Sequence, residues 1–305
     1  QHMTFGVSFN LSLEKVALPD ALETLTFGKC FNQPMEKVTF PAHLQCVTFG
    51  ENFAQELNMV WPSSMITLTF GKAFNIPLAK VKLPSNLETL TFGEKFNQIL
   101  ELPPKLKDLT LGAQYNESLD SVHFPEALEK LILGNAFNWS ISKVNWPQKL
   151  QYLMLSAKFN QSVTDVIWPP ELKTLIFGEK FNQPMDEMHW PPTLQSLTFG
   201  DEFDQSLKGL RWPATLKTLM FGRNFRQSLV DVQFPEDLES LTLGTHFNQS
   251  LVDVTWPASL KSLTFGYYFN TSMEGVQLPL DLEHLKFGAS FNQSLKKVIL
   301  PPKLR

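Results

Sequence analysis

A β-rich solenoid is the fold class that the sequence predicts, and three regularities predict it. An aromatic residue, followed in most cases by Asn, recurs fourteen times, and eleven of the thirteen intervals are 22 residues long. Thirteen of the 15 Gly and fourteen of the 21 Pro each hold one fixed position in this repeat. Two short stretches of each unit alternate apolar and polar residues with the period of a β-strand. One such unit cannot bury its own apolar face, so about fourteen coils are expected to stack.

Each unit contributes two candidate strands. In the second unit they are Leu25–Phe27, ended by Gly28, and Val38–Phe40, ended by Pro41. Because both stretches recur along the chain, each strand should pair in parallel with its copies, which gives two parallel β-sheets with little or no α-helix. Both sides of a coil would then repeat at about 4.8 Å. Weak curvature is therefore expected.

Composition narrows the classes of function. The formal net charge of −4, without a cluster of Lys and Arg, predicts no nucleic-acid partner. No apolar run approaches the roughly 18 residues of a membrane-spanning helix, so no membrane partner is expected. Two Cys cannot build a disulfide framework, which favours a reducing, cytoplasmic location. Residues 1–3 resemble a cloning remnant, and residues 4–305 are expected to form a single solenoid domain.

One polar column of the repeat is filled mainly by Asn. An amide both donates and accepts hydrogen bonds, so stacked copies can satisfy backbone groups where the chain turns between coils. We therefore predict a structural asparagine ladder rather than a binding site. Its members are Asn10, Asn32, Asn75, Asn97, Asn116, Asn138, Asn160, Asn182, Asn248, Asn270 and Asn292.

Large aromatic residues precede the fixed Pro in most units, and six of the seven Trp lie there. The position comes two residues after an apolar Val, so it should share the inward face and fill the core. Trp139 lies outside this column and is the exception.

Catalytic and metal-binding patterns are absent from the sequence. His123 and His189 share a column but are three coils apart, and Cys30 and Cys46 form no CxxC pair. The chain contains no GxGxxG, Walker or GxSxG motif. We expect a protein that is not an enzyme and uses neither a cofactor nor a metal.

The outward positions of the first strand are where a binding specificity can be encoded, because stacking fixes the inward ones. Thr is usual at the position two residues before Gly, but three consecutive coils replace it with Ile132, Met154 and Ile176. Exposed apolar groups of this extent suggest a contact site, although isolated ones are common on surfaces. The candidate partner-binding residues are Lys130, Ile132, Tyr152, Met154, Thr174, Ile176 and Met220.

A second candidate is an acidic stripe on the second stretch of the coil. The position before the Val is mostly Lys in the first half of the chain, is mostly a carboxylate in the second, and ends with Lys297. Like charges one coil apart repel unless a basic partner lies near, and a solvated face is the alternative interpretation. The stripe consists of Asp165, Glu187, Asp231 and Asp253.

These motifs resemble a known family. The run Leu-x-x-Leu-x-Phe is similar to the strand of leucine-rich repeats, and Phe-Asn-Gln-Ser/Pro-Leu followed by Trp-Pro resembles the narrower FNIP repeats, with Phe74–Pro77 reading FNIP. The resemblance extends from Thr4 to Arg305 and implies a protein-interaction scaffold. Such repeats occur in social amoebae and in large DNA viruses of protists, so the partner of a viral member would be a host protein.

The function expected from the sequence is a non-catalytic scaffold that binds a protein partner on the outward face of its first sheet. The alternative is a binder of regular surfaces, glycan or ice, through outward Thr columns. That alternative needs an unbroken array, which Lys130, Tyr152, Met154 and Met220 interrupt. Neither end of the array has a polar capping unit, so end-to-end self-association is a further expectation.

Overall fold

The computed structural model describes all 305 residues and contains fourteen β-strands of three residues each. It has no α-helix and one short 3-10 helix, Leu78–Lys80. The strands are β1 (His2–Thr4), β2 (Thr24–Thr26), β3 (Cys46–Thr48), β4 (Thr67–Thr69), β5 (Thr89–Thr91), β6 (Asp108–Thr110), β7 (Lys130–Ile132), β8 (Tyr152–Met154), β9 (Thr174–Ile176), β10 (Ser196–Thr198), β11 (Thr218–Met220), β12 (Ser240–Thr242), β13 (Ser262–Thr264) and β14 (His284–Lys286).

The chain divides into two compact units, each a parallel β-solenoid. The first consists of residues 1–139 and 144–150 and carries β1 to β7, and the second consists of residues 140–143 and 151–305 and carries β8 to β14. Within each unit every strand pairs in parallel with the next one along the chain. The pairing is in register, so Leu197 of β10 lies opposite Leu175 and Leu219. The predicted leucine-rich-repeat-like solenoid is confirmed.

Burial within each strand follows the sequence alternation. In all but the two terminal strands the central apolar residue is buried, and the two flanking residues are partly exposed except for Met220, which is exposed. A Gly follows each strand by two residues in nearly every coil, and it packs closely against the backbone of the preceding coil. A Cβ added to Gly200 would overlap the backbone oxygen of Gly178 in the preceding coil. Gly, which has no Cβ, suits this close approach of consecutive coils, and Ser156 is the one other residue that occupies the position.

Stacked aromatic columns fill the core beside the sheet. Phe203 is fully buried, with its ring centroid 4.0 Å from that of Phe199 in the same coil and 6.1 Å from that of Phe181 in the preceding coil. Phe225 lies 6.3 Å away in the next coil. Offset stacks at these distances add to the free energy gained by burying the rings.

The asparagine ladder is confirmed by hydrogen bonds between successive coils. Asn160 Oδ1 accepts the backbone N–H of Asn182 at 2.9 Å and the amide Nε2 of Gln183 at 3.0 Å. The same arrangement recurs along the chain, and Asp204 replaces Asn without loss because its carboxylate oxygen accepts the backbone N–H of Arg226.

The prediction of a second β-sheet is wrong, because each coil contributes only one strand, giving β1 to β14. The stretch before the fixed Pro forms turns, such as the one in which the N–H of Val38 donates to the carbonyl oxygen of Met35 at 3.0 Å. The residues that follow do not pair between coils, apart from one isolated bridge between Leu57 and Val81. Only two residues separate the turn from Pro41, and Pro has no N–H to donate to a ladder.

Two coils are shorter than the rest, and both lose residues in this turn segment. Phe53 and Pro62 are nine positions apart and Phe96 and Pro103 seven, where the regular interval is ten. The strands, the Gly column and the aromatic column continue through these coils. The turn is therefore the part of the coil that accepts changes in length.

The Trp residues before the fixed Pro point inward, as predicted. Trp61, Trp146 and Trp168 are buried, and Trp190, Trp212 and Trp256 are partly buried. Their indole Nε1 atoms are buried and have no hydrogen-bond partner within the protein. Trp139 is half exposed, and its Nε1 donates to the backbone oxygen of Asn116 at 2.9 Å.

Candidate functional site

The outward face of the second unit carries the predicted apolar residues on neighbouring strands. Met154 on β8 lies directly opposite Ile176 on β9, and Tyr152 lies opposite Thr174. Met220 on β11 is separated from Ile176 by Thr198 on β10. Met220 is 39% exposed, and the other members are partly exposed. The strands thus bring all five of these residues into two adjacent rows that run across the sheet.

The remaining two predicted residues lie in the first unit. Lys130 and Ile132 occupy β7, where they pair with Asp108 and Thr110 of β6. Ile132 replaces Thr at an outward, partly exposed position. The apolar substitution is therefore at the same place in the coil in both units.

Charged side chains border the face on the side where the strands begin. Glu239 lies between two Lys, with Oε2 at 3.0 Å from Lys261 Nζ and Oε1 at 3.4 Å from Lys217 Nζ. Hydrogen bonds from Lys261 and then Lys217, with their charges, hold the pKa of the Glu239 carboxyl below its ordinary value. The same contact raises the pKa of Lys261. Exposed pairs of this kind contribute little to stability and form a polar rim.

Three of the four members of the acidic stripe have a left-handed backbone conformation. Glu187, Asp231 and Asp253 have φ angles of 62°, 64° and 68°, in the left-handed region. The equivalent residues of two other coils in this unit are Gly209 and Gly275, also with positive φ. A four-residue turn with positive φ at its third residue favours Gly and tolerates Asp. The turn geometry therefore accounts for Asp231 and Asp253, whereas Glu187 is poorly suited to it.

We expect opposite stability changes when residues are exchanged at these turns. Glu187→Gly should raise the free energy of unfolding by about 1 kcal/mol, because it removes left-handed strain from a side chain with a Cβ. Gly209→Ala should lower the free energy of unfolding by about 1 kcal/mol. The cause would be backbone strain at positive φ alone, because an added Cβ meets no atom within 4 Å. Urea unfolding measures both. Lys37→Ala, at the same turn position without positive φ, is the control, and equal effects of all three changes would contradict this explanation.

Asp165 and Glu187 also line a cavity of about 610 Å³ in the second unit, together with His189, Trp168 and Trp190. Asp231 instead pairs with Lys208 at 3.0 Å. No group of three or more His, Cys, Asp or Glu side chains is placed to hold a metal ion. The acidic residues are thus spread over separate turns rather than gathered at one centre.

Sequence reasoning missed an aromatic cluster beyond the ends of β12 and β13. Tyr267 and Tyr268 are 55% and 50% exposed, and their ring centroids lie 4.9 Å apart with the rings nearly perpendicular. The Tyr268 ring stacks on that of His246 at 5.1 Å. The available signal was a departure from the repeat, because no other coil has Tyr, Phe or Trp at either of the two positions after Gly.

The one helix of the chain, Leu78–Lys80, is far too short to cross a membrane.

The sequence pattern of the FNIP repeat matches along the whole chain. The matched segments are residues 1–30, 31–73, 74–114, 115–158, 159–202, 203–246, 247–290 and 269–305. No curated protein matches the chain at a comparable significance.

Among solved structures, the chain is similar to CroV588, a giant-virus protein described as a novel circular leucine-rich-repeat structure. The two are 37% identical with a TM-score of 0.91, over 99% of this chain and 45% of CroV588. The chain thus spans less than half the length of that protein.

Two further structures share the fold at low identity. YopM, a leucine-rich effector protein from Yersinia pestis, is 18% identical with a TM-score of 0.56, over 94% of this chain and 82% of YopM. TLR13, solved in complex with ssRNA13, is 15% identical with a TM-score of 0.59, over 88% of this chain and 46% of TLR13. From the repeat pattern and the likeness to CroV588, the chain belongs to the FNIP-repeat family, whose leucine-rich-repeat-like fold is typical of protein-interaction scaffolds.

Proposed function

We propose that the chain is a non-catalytic scaffold that binds a protein partner on the outward face of its sheet. The observation that carries this proposal is the pairing of Met154 with Ile176 across β8 and β9, at positions where most coils have Thr. Met220 extends the apolar row two strands further. Stacking of the coils fixes the residues that point inward. Binding specificity can therefore be encoded only by outward residues that differ from the repeat consensus.

The chemistry of this face suits a protein interface. Such interfaces have an apolar core enriched in Tyr and Met, surrounded by polar groups that exclude water. Tyr152, Met154, Ile176 and Met220 provide the apolar groups, and Lys217 with Glu239 provides part of the rim. Lys130 and Ile132 of the first unit are proposed as contact residues of that unit, because they occupy the equivalent outward positions of its last strand.

The setting of the interaction follows from the same reasoning. Both Cys are free thiols, which supports a reducing, cytoplasmic location. Residues 4–305 would act as a single solenoid domain. If the protein is viral, the partner is a host protein.

Regular-surface binding receives less support from the outward Thr residues. Thr67 and Thr69 of β4 lie opposite Thr89 and Thr91 of β5, which gives a regular array of four hydroxyl groups. The neighbouring strands interrupt it with Cys46 and Asp108. Two coils of Thr are too few to match an extended lattice.

The test restores the repeat at the three apolar outward positions. Ile132→Thr, Met154→Thr and Ile176→Thr together should leave folding unchanged and weaken binding of a partner, captured from a lysate of the source organism, by about 2 kcal/mol or more, roughly 30-fold. Quantitative mass spectrometry of the captured proteins, followed by titration of each, measures this.

A matched control makes the same kind of change away from the face. Val60→Thr, Ile99→Thr and Ile167→Thr replace apolar side chains that are 73–84% exposed and lie outside the strands. This variant should keep the binding of the unaltered protein. Equal capture of every protein by all three chains would refute the proposed face.

A further inference from the structure

We propose that the edge of the sheet formed by the last four coils of the second unit is a docking point for an acidic protein segment that also carries an apolar anchor residue. This inference rests on the proposed protein-binding function and specifies the chemistry of the partner. The residues that form the docking edge are Met220, Arg223, His246, Tyr267, Tyr268 and Lys286.

The aromatic centre of the docking edge is already ordered. Tyr267 and Tyr268 contact each other, and His246 stacks on Tyr268. His246 is itself held, because its backbone N–H donates to the carbonyl oxygen of Arg223 at 2.9 Å and its Nδ1 lies 3.1 Å from the same oxygen. Tyr presents a large amphipathic surface at a low cost in conformational entropy, and preordering reduces that cost further.

Met220 and the aromatic centre lie along the same ends of neighbouring strands, with polar residues between them. Met220 is 39% exposed at the end of β11, and its register partners on the following strands are Thr242, Thr264 and Lys286. Tyr267 follows Thr264 by three residues. A segment lying across the strand ends would therefore meet Met220 at one end and the Tyr pair towards the other.

Charge selects an acidic occupant. Three positions in each of these four coils border the docking edge: the last residue of the strand and the two residues that follow Gly. None of these twelve residues is Asp or Glu. Cationic groups are present at Arg223 and Lys286. The preceding coil, in contrast, has Asp201 and Glu202 at the same places.

Both cations remain available to a ligand. The ammonium group of Lys286 makes no ion pair, since no carboxylate oxygen lies within 4.0 Å of it. The backbone N–H of Arg223 donates to Asp201 Oδ1 at 3.0 Å, but its guanidinium group approaches Asp201 only through Nε, at 3.8 Å, and the side chain stays 64% exposed. On a chain with a net charge of −4, this makes the edge a local site for attracting an anionic segment.

Selection from a display library of random 16-residue peptides tests the proposal with the whole chain as bait. Peptides enriched on the unaltered protein should carry net negative charge and at least one Leu, Ile, Phe or Trp. Their affinity, measured by fluorescence anisotropy, should fall at least about tenfold for Tyr267→Ser with Tyr268→Ser, and likewise for Lys286→Glu. Lys296→Glu, an exposed Lys of the last coil, should leave it unchanged, and circular dichroism verifies that all variants fold.

The other outcomes separate this inference from the proposed function. Enriched peptides that are neutral or basic, or that bind the Tyr variant as well as the unaltered chain, overturn the acidic docking edge. If such peptides nevertheless lose binding to the Met154→Thr, Ile176→Thr variant, the proposed partner face stands without it. If a labelled 12-residue oligouridine binds more tightly than any peptide and depends on the Tyr pair, the site takes nucleic acid and the inference is wrong.

Discussion

Gly200→Ala should be among the most destabilising single substitutions in this chain. The added methyl group would overlap the backbone carbonyl group of Gly178, and a Cβ has no rotamer through which to avoid it, so relief requires two coils to move apart. We expect a loss of at least about 3 kcal/mol in the local free energy of opening. Hydrogen exchange of the amides in β9, β10 and β11, followed by mass spectrometry, measures this directly.

The same substitution in the first coil is its control. Gly6 has nothing within 4 Å of an added Cβ, so Gly6→Ala should change local stability by no more than about 0.5 kcal/mol. A comparable loss at Gly6 and Gly200 would show that the cost comes from the chemistry of the Gly position rather than from the approach of coils.

Phe203→Ala is expected to cost about 3–5 kcal/mol. The ring is fully buried and lies 4.0–6.3 Å from four other Phe rings, so its removal leaves a cavity between three coils. The loss should be seen as a lower urea midpoint and as faster exchange in the coils on both sides.

Phe203→Leu separates the loss of volume from the loss of aromatic stacking. Because Leu retains most of the apolar volume, this change should cost less than about 1.5 kcal/mol. If Leu proves as harmful as Ala, ring stacking rather than cavity formation is the main contribution, and the expectation above has the wrong physical cause.

The period of the sequence was sufficient to predict the solenoid, the inward Trp column and the asparagine ladder. All three depend on contacts between identical positions of adjacent coils, which a 22-residue repeat specifies directly. The second sheet could not be judged in this way. Val38–Phe40 alternates like a strand, but whether it pairs depends on the turn at Met35 and on Pro41, and alternation carries no information about either.

Candidate binding residues were only partly predictable. Met154 and Ile176 stood out because they break a Thr column of a strand, where the outward direction follows from the alternation. Tyr267 and Tyr268 lie in the turn after Gly266, where no periodicity indicates which side chains are exposed or touch each other. The left-handed φ of Glu187 could not be predicted either. Asp at positions 231 and 253 is equally compatible with an acidic binding stripe and with a turn that requires positive φ.

The two shortened coils bear on how such a chain can evolve. Residues are missing only from the turn that precedes the fixed Pro, while the strand, the Gly and the core aromatic residue after it are kept. Insertions and deletions are thereby confined to the turn segment of the coil. Amino-acid replacements on the strand can then change which partner is bound without altering the length of the coil. Duplication or loss of a complete 22-residue repeat would preserve both the turn segment and the strand. The array can therefore change its length and its binding specificity by independent genetic events.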